Sequence, residues 1–286
     1  MHLKVSRREL TFASLALATV PAGGLLKAVA SGRRSGESDA GILRYRSTLV
    51  NGLTPEDIDW DGRKWRCTMG STWHAGMDYC LRLSEGMARF ELHDTIFDRP
   101  AGDPDRKRRS ELHYPKRPRL PNDVPLWGAM SFIHHSWADP SGMARLTMGG
   151  AHGQIHIGSR AGGSPAVAFH RYKDGNFLVT TRGEQESGNT KRYKAPLAFD
   201  RPHDLVYRVV LSPTNGSLAV WLNRQKIVDL DGVPIGSHFA ESYWNIGAYY
   251  YGGVTCPIVA EFANHVYPSP ETLLKRTAIT PAWPLA

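Results

Sequence analysis

From residue 46 onward, short runs of alternating apolar and polar residues keep returning, at intervals of roughly 8–15 residues. Each run is closed by Gly, Pro, Asn or Asp. "DLVYRVVLS" (204–212), the turn "PTNG" and "SLAVWLN" (217–223) together read as a β-hairpin. "PAVAFHRY", "NFLVTTR", "KIVDLDG" and "IVAEFANHVY" read as further strands. A period of two gives each strand one apolar face, and that face is buried only when two sheets pack against each other. The pattern therefore predicts an all-β fold, a sandwich or jelly roll of two antiparallel sheets with few short helices. One helical signal stands out, "SPETLLKRTA" (269–278), with Ser269 as a plausible start and Pro270 next to it.

Charge and the N-terminus narrow the partners. The formal net charge is +8, which favours polyanions without specifying a fold. No apolar run of ~18 residues follows the N-terminus, so no membrane span is expected. The opening "SRRELTFASLALATVPAGGLLKAVA" places Arg7 and Arg8 before a weakly apolar stretch that ends in Ala28-Val29-Ala30. That layout predicts a twin-arginine signal peptide over 1–30, followed by a polar lead-in over 31–45 and one β-domain over 46–286. Such a bacterial chain reaches the periplasm or the medium already folded. Its expected partner is then an extracellular anionic polysaccharide, not nucleic acid, and we expect a monomer. Cys67, Cys80 and Cys256 allow at most one intrachain disulfide and leave one thiol. Their spacing fits no metal site.

Three stretches carry chemistry. In "RRSELH" (108–113), Arg109, Glu111 and His113 share one strand face, and Ser110 and Leu112 the other. In "HGQIHIG" (152–158), Gln154 and His156 oppose Ile155 and Ile157. His152 and His156 stand roughly 13 Å apart on a strand, too far to share a metal ion. In "YWNIGAYYYGG" (243–253), Tyr243, Asn245, Gly247 and Tyr249 face one way, and Trp244, Ile246, Ala248 and Tyr250 the other. Gly247 leaves room for something to approach the backbone.

In their order and spacing these stretches resemble the polysaccharide lyases of the alginate lyase, glucuronan lyase and heparin lyase I type. Those families carry Arg-Ser-Glu-Leu, Gln-Ile-His and Tyr-Phe-Lys-Ala-Gly-x-Tyr strands. Here the counterparts are "RSEL" (109–112), "QIH" (154–156) and "YWNIGAY" (243–249), with Trp244, Asn245 and Ile246 departing from the third pattern. The resemblance covers about residues 46–270. It implies a concanavalin-like jelly roll that cleaves a 4-linked uronate by β-elimination. Arg109 and Gln154 would neutralise the C5 carboxylate, and His156 and Tyr249 would move protons. Glu111, His113, Tyr243, Asn245 and Tyr251 would contact substrate, with no metal and no cofactor. For glucuronate or mannuronate Tyr249 could be base and acid in turn; for guluronate or iduronate His156 would be the base. The absence of the lysine at 245 counts against alginate.

Two other functions fit parts of the sequence. A lectin-like module needs the aromatic rings but not the Arg, Gln, His and Tyr set. A glycoside hydrolase on the same fold needs two carboxylates facing the bond, and no strand here carries such a pair. "DIDWDG" (57–62) has too little of a calcium-loop pattern and reads as a turn.

Overall fold

The computed structural model describes residues 43–44, 57–60, 62–69, 81–84, 86–93, 107–113, 119–136, 150–158, 165–172, 174–251 and 257–284. Only the backbone is described at 43–44, 57–59, 66–69, 107–108, 151 and 251. The expected signal peptide, the lead-in up to residue 42 and at 45, Cys80 and Cys256 lie outside the described residues, as does the Cys67 side chain; Leu43–Arg44, placed in the lead-in by the sequence, pair with Leu83 and Arg82 as a short strand.

The described residues form two eight-stranded sheets. The first runs β1 (Leu43–Arg44), β4 (Leu81–Ser84), β5 (Met87–Leu92), β16 (Ile258–Ser269), β7 (Pro125–His134), β12 (His203–Val210), β13 (Ser212–Leu222), β14 (Gln225–Ile235). The second runs β11 (Thr190–Pro196), β10 (Asn176–Thr181), β9 (Pro165–Arg171), β8 (Gly150–His156), β15 (Tyr243–Tyr251), β6 (Lys107–His113), β3 (Arg63–Met69), β2 (Asp57–Trp60). Neighbouring strands pair antiparallel throughout, as in β6–β15 and β8–β15. The all-β jelly-roll expectation therefore holds.

The alternation drives this arrangement. Trp244, Ile246, Ala248 and Tyr250 on β15, and Ser110 and Leu112 on β6, are turned inward and fully buried. Across from them lie Phe90, Phe132, Tyr207 and Phe262 of the first sheet. Each such large apolar side chain contributes about 1.5–3 kcal/mol by leaving water. No helix among the described residues is long and apolar enough to cross a membrane.

Two local expectations are corrected. The helix over 269–278 is not formed: Ser269 ends β16, and only a 3-10 turn, Leu274–Thr277, follows. Pro268 and Pro270 flank that serine and favour extended backbone before them. The segment "PTNG" is not a free turn either. It belongs to β13, which pairs with β14 through Ser212 and Gly216 with register shifts between them.

Candidate active site

Three neighbouring strands of the second sheet bring the chemical stretches together, in the order β8–β15–β6. Asn245 stands opposite Gln154 on one side and His113 on the other. Tyr249 stands opposite Arg109, and Tyr243 opposite His156. All of these alternate with core residues, so they share the outer face of the sheet.

The centre of the constellation is a buried carboxylate. Glu111 is 2% exposed; its Oε1 accepts a hydrogen bond from Gln154 Nε2 at 2.6 Å, and its Oε2 lies 3.6 Å from Arg109 Nη1. An ionised acceptor this deep demands such donors. The consequence is positional: Glu111 holds the amide of Gln154 and the guanidinium of Arg109 in one place. Gln154 keeps its second N–H and its carbonyl for other partners. Asn245, equally buried, sets a second amide beside it.

The two tyrosines of the site have different surroundings. Arg109 Cζ sits 5.0 Å from the ring centre of Tyr249, so a positive charge faces that phenol. Tyr243 lies at the other end. Its ring stacks on His156 at 5.1 Å and 24°, meets His113 edge-on at 6.1 Å, and carries the Arg119 guanidinium at 5.1 Å. Burial pushes the Tyr243 hydroxyl above its ordinary range, and the Glu111 carboxylate adds to this; Arg109 and Arg119 pull the other way. Tyr243 is therefore a persistent donor.

His156 has a defined tautomer. The Gly158 backbone N–H donates to its Nδ1 at 3.2 Å, which puts the proton of the neutral ring on Nε2. The ring offers the outer face an N–H and not a lone pair.

The register gives each tyrosine its own cross-strand partner. Tyr243 is the tyrosine in contact with His156, and Tyr249 belongs to Arg109. Tyr251 pairs with Lys107 at the end of β15. The close approach expected at Gly247 is made by β6. At φ 146° its missing side chain makes room for the backbone of β6, whose Glu111 Cα lies only 2.7 Å from where a Cβ would stand. The close approach is strand against strand.

Arg119 was missed by the sequence reading because it sits in "YPKRPRLPNDVP", a stretch that reads as a connection. Leu120 N–H donates to Ser242 O at 2.9 Å, and this clamps the stretch against the start of β15. Among the described outer-face residues of β6, β8 and β15, Glu111 is the one carboxylate, and among all described residues no group of three or more His, Cys, Asp or Glu could hold a metal ion.

No family model matches the chain, and no curated protein matches it in sequence. Solved structures do align with it. An endo-β-1,4-glucuronan lyase from Trichoderma reesei aligns over 78% of this chain and 93% of its own, at 10% identity and a TM-score of 0.49. An alginate lyase from Klebsiella pneumoniae aligns over 76% and 93%, at 13% identity and a TM-score of 0.46. The catalytic domain of a glycoside hydrolase family 131 protein from Coprinopsis cinerea aligns over 64% and 69%, at 12% identity and a TM-score of 0.42.

Proposed function

We propose that this chain is an exported polysaccharide lyase that cleaves a 4-linked uronate by β-elimination. The observation that carries the reading is the buried Glu111 carboxylate tied at once to Gln154 and Arg109, with Asn245 and Tyr249 on the adjoining strand.

Elimination must remove the proton at C5, next to a carboxylate, and then expel O4. The C5 proton is hard to remove while the carboxylate keeps its charge. Donors fixed against that carboxylate spread the developing charge into an enolate-like form. The amides of Gln154 and Asn245 and the Arg109 guanidinium supply those donors. Glu111 keeps the first and third in place, so little reorganisation is needed as charge develops. Hydrolysis would need two carboxylates across the bond. The one at the centre here is committed to a hydrogen bond from Gln154 and an ion pair with Arg109.

Tyr249 is the proposed proton carrier. The Arg109 charge beside it favours the phenolate, so it can take the C5 proton and return it to O4. His156, with its proton on Nε2, acts as a donor to the sugar, alongside Tyr243. One residue doing both transfers requires H5 and O4 on the same side of the ring. The substrate is accordingly a glucuronate- or mannuronate-type polymer, and the asparagine at 245 favours the former.

The test is ultraviolet detection of the unsaturated product over a panel of polyuronates, with three proteins. Wild type should act on polyglucuronate. Tyr249→Phe should lose about 10²–10⁴-fold in turnover, the usual contribution of positioned proton transfer. His156→Gln, which keeps an N–H donor, should lose much less. Reducing ends without unsaturation would assign a hydrolase. Binding without cleavage would assign a lectin-like module. Full activity of Tyr249→Phe would remove the tyrosine from the mechanism.

A further inference from the structure

A second cluster of polar groups lies between the sheets and plays no part in the chemistry above. Arg171, the last residue of β9, points into the core and is 0% exposed. Among the described residues its Nε, Nη1 and Nη2 have no hydrogen-bond partner. The guanidinium carbon lies 3.8 Å from the centre of the Phe199 ring, which covers one face and supplies no acceptor. His134, from the end of β7 in the other sheet, is 3% exposed, and both of its ring nitrogens lack partners. Its ring packs 3.8 Å from that of His152, whose Nε2 meets the Tyr250 hydroxyl at 3.1 Å.

His152 enters this space because β8 is irregular there. Ala151 pairs with His170 and Gly153 with Phe169, so His152 is the extra residue of a bulge and turns inward. Gly150 is required beside it, since a side chain there would run into the Tyr250 ring. In the β8–β9 register Arg171 stands opposite Gly150, two residues from His152, and the His152 ring packs on that of His134, so the three groups share one neighbourhood.

The inventory of hydrogen-bonding atoms is lopsided. A guanidinium has five N–H donors and no acceptor, and a neutral imidazole adds one of each. With His152 Nδ1 also unpartnered, six or seven donors face at most two acceptors in a place shut off from solvent. Leaving a buried cation so unmatched is strongly unfavourable. Water brings as many donors as acceptors and corrects the imbalance poorly. A ligand made only of acceptors corrects it directly, and the planar fork of arginine suits two oxygens at once. Asp174, the carboxylate on the next turn, is already held by Lys194 Nζ at 2.6 Å.

We propose that Arg171, His134, His152 and Phe199, between the sheets, form a binding site for a small oxyanion of the phosphate or sulfate class. The bound anion neutralises Arg171 and ties the end of β9 to the end of β7, joining the two sheets at that edge. This site is independent of the groove and of whatever polymer the groove takes.

The experiment uses the purified full chain, thoroughly dialysed into an anion-poor zwitterionic buffer. Thermal unfolding and titration calorimetry are followed as inorganic phosphate, sulfate or chloride is added at matched ionic strength. Phosphate or sulfate should bind one per chain and raise the melting temperature saturably, by about 5–10 °C at a hundred times the dissociation constant. Arg171→Met, which keeps length and apolar contact but no donors, should abolish the response. If that variant does not fold, His134→Phe decides: its half-maximal phosphate concentration should rise about tenfold. An equal response to chloride, a response that survives in Arg171→Met, or an unchanged midpoint in His134→Phe overturns the proposal. None of these readouts involves polysaccharide cleavage, so a failed lyase assay leaves the result standing.

Discussion

Two arginines, one half-buried and one fully buried, show how differently this protein treats the same side chain. Arg276, from the C-terminal 3-10 turn, lies across the outer face of the first sheet. Its Nη2 donates to Asp204 Oδ1 at 2.6 Å and its Nη1 to Asn264 O at 2.5 Å, and Ser131 Oγ completes the network. Trp127, Val206, Trp221, Val266 and Leu273 form a small apolar cluster on the same face. Arg171, on the inner face of the second sheet, has none of these acceptors. Where arginine serves as a clasp, the chain surrounds it with oxygen. Its absence around Arg171 is therefore informative, because the same fold shows what a satisfied guanidinium looks like.

The comparison can be broken by matched substitutions. Arg276→Met strands the buried Asp204 carboxylate, and urea titration should show a loss of about 3–5 kcal/mol. The double change Arg276→Met with Asp204→Leu should recover much of it. A small loss in the single variant would mean that the clasp is ornamental and would remove the reference against which Arg171 is judged.

Acid should separate the two regions next. Burial, and then the neighbouring His152 and Arg171 charges, holds His134 well below the ordinary imidazole range; burial and Arg171 do the same to His152. Burial lowers His170 to about 4, and it also lowers His203. The unfolded chain binds these protons near pH 6.5, while the folded chain does not. Stability is therefore complete above about pH 6.5 and falls as the pH drops toward 4, by at most about 1.4 kcal/mol per pH unit for each imidazole. Glu91 and Glu261 are held below the usual carboxylate range by His93, Arg89 and His135 against the opposing effect of burial, so their contribution is lost only below about pH 4.5. Urea titrations at stepped pH should show His134→Phe flattening the upper part of this slope by up to one proton. An unchanged slope would mean that His134 is not buried and neutral.

The smallest effect is the most pointed. In anion-poor buffer, Arg171→Met should change stability by less than about 1 kcal/mol or raise it, since an apolar replacement ends an unmatched burial. A loss as large as that of Arg276→Met would show that Arg171 has acceptors of its own within the chain. Together the two methionine variants give opposite results for one nominal substitution.

The faces of the strands were legible from alternation alone. Trp244, Ile246, Ala248 and Tyr250 went inward, and Arg109, Glu111, Gln154, His156 and Asn245 outward, because side chains on a pleated strand must alternate. The count of sheets followed from the same rule, since every strand had one face to hide. Phase is a local property, and one sequence suffices to read it.

What the sequence could not contain was register. Whether His156 stands next to Tyr243 or Tyr249 depends on where β8 slides along β15, and on the irregularity between Ile246 and Tyr249. A bulge turns His152 from the outer face to the core, against its sequence phase, because one extra residue shifts alternation by one. The place of Arg119 over Tyr243, the pressure of β6 on Gly247 and the meeting of His134 with His152 all join residues far apart in the chain. Alternation decided which side chains face the groove. Only the packing of strand on strand and sheet on sheet decided which of them touch, because those contacts depend on register and bulges that no single strand encodes.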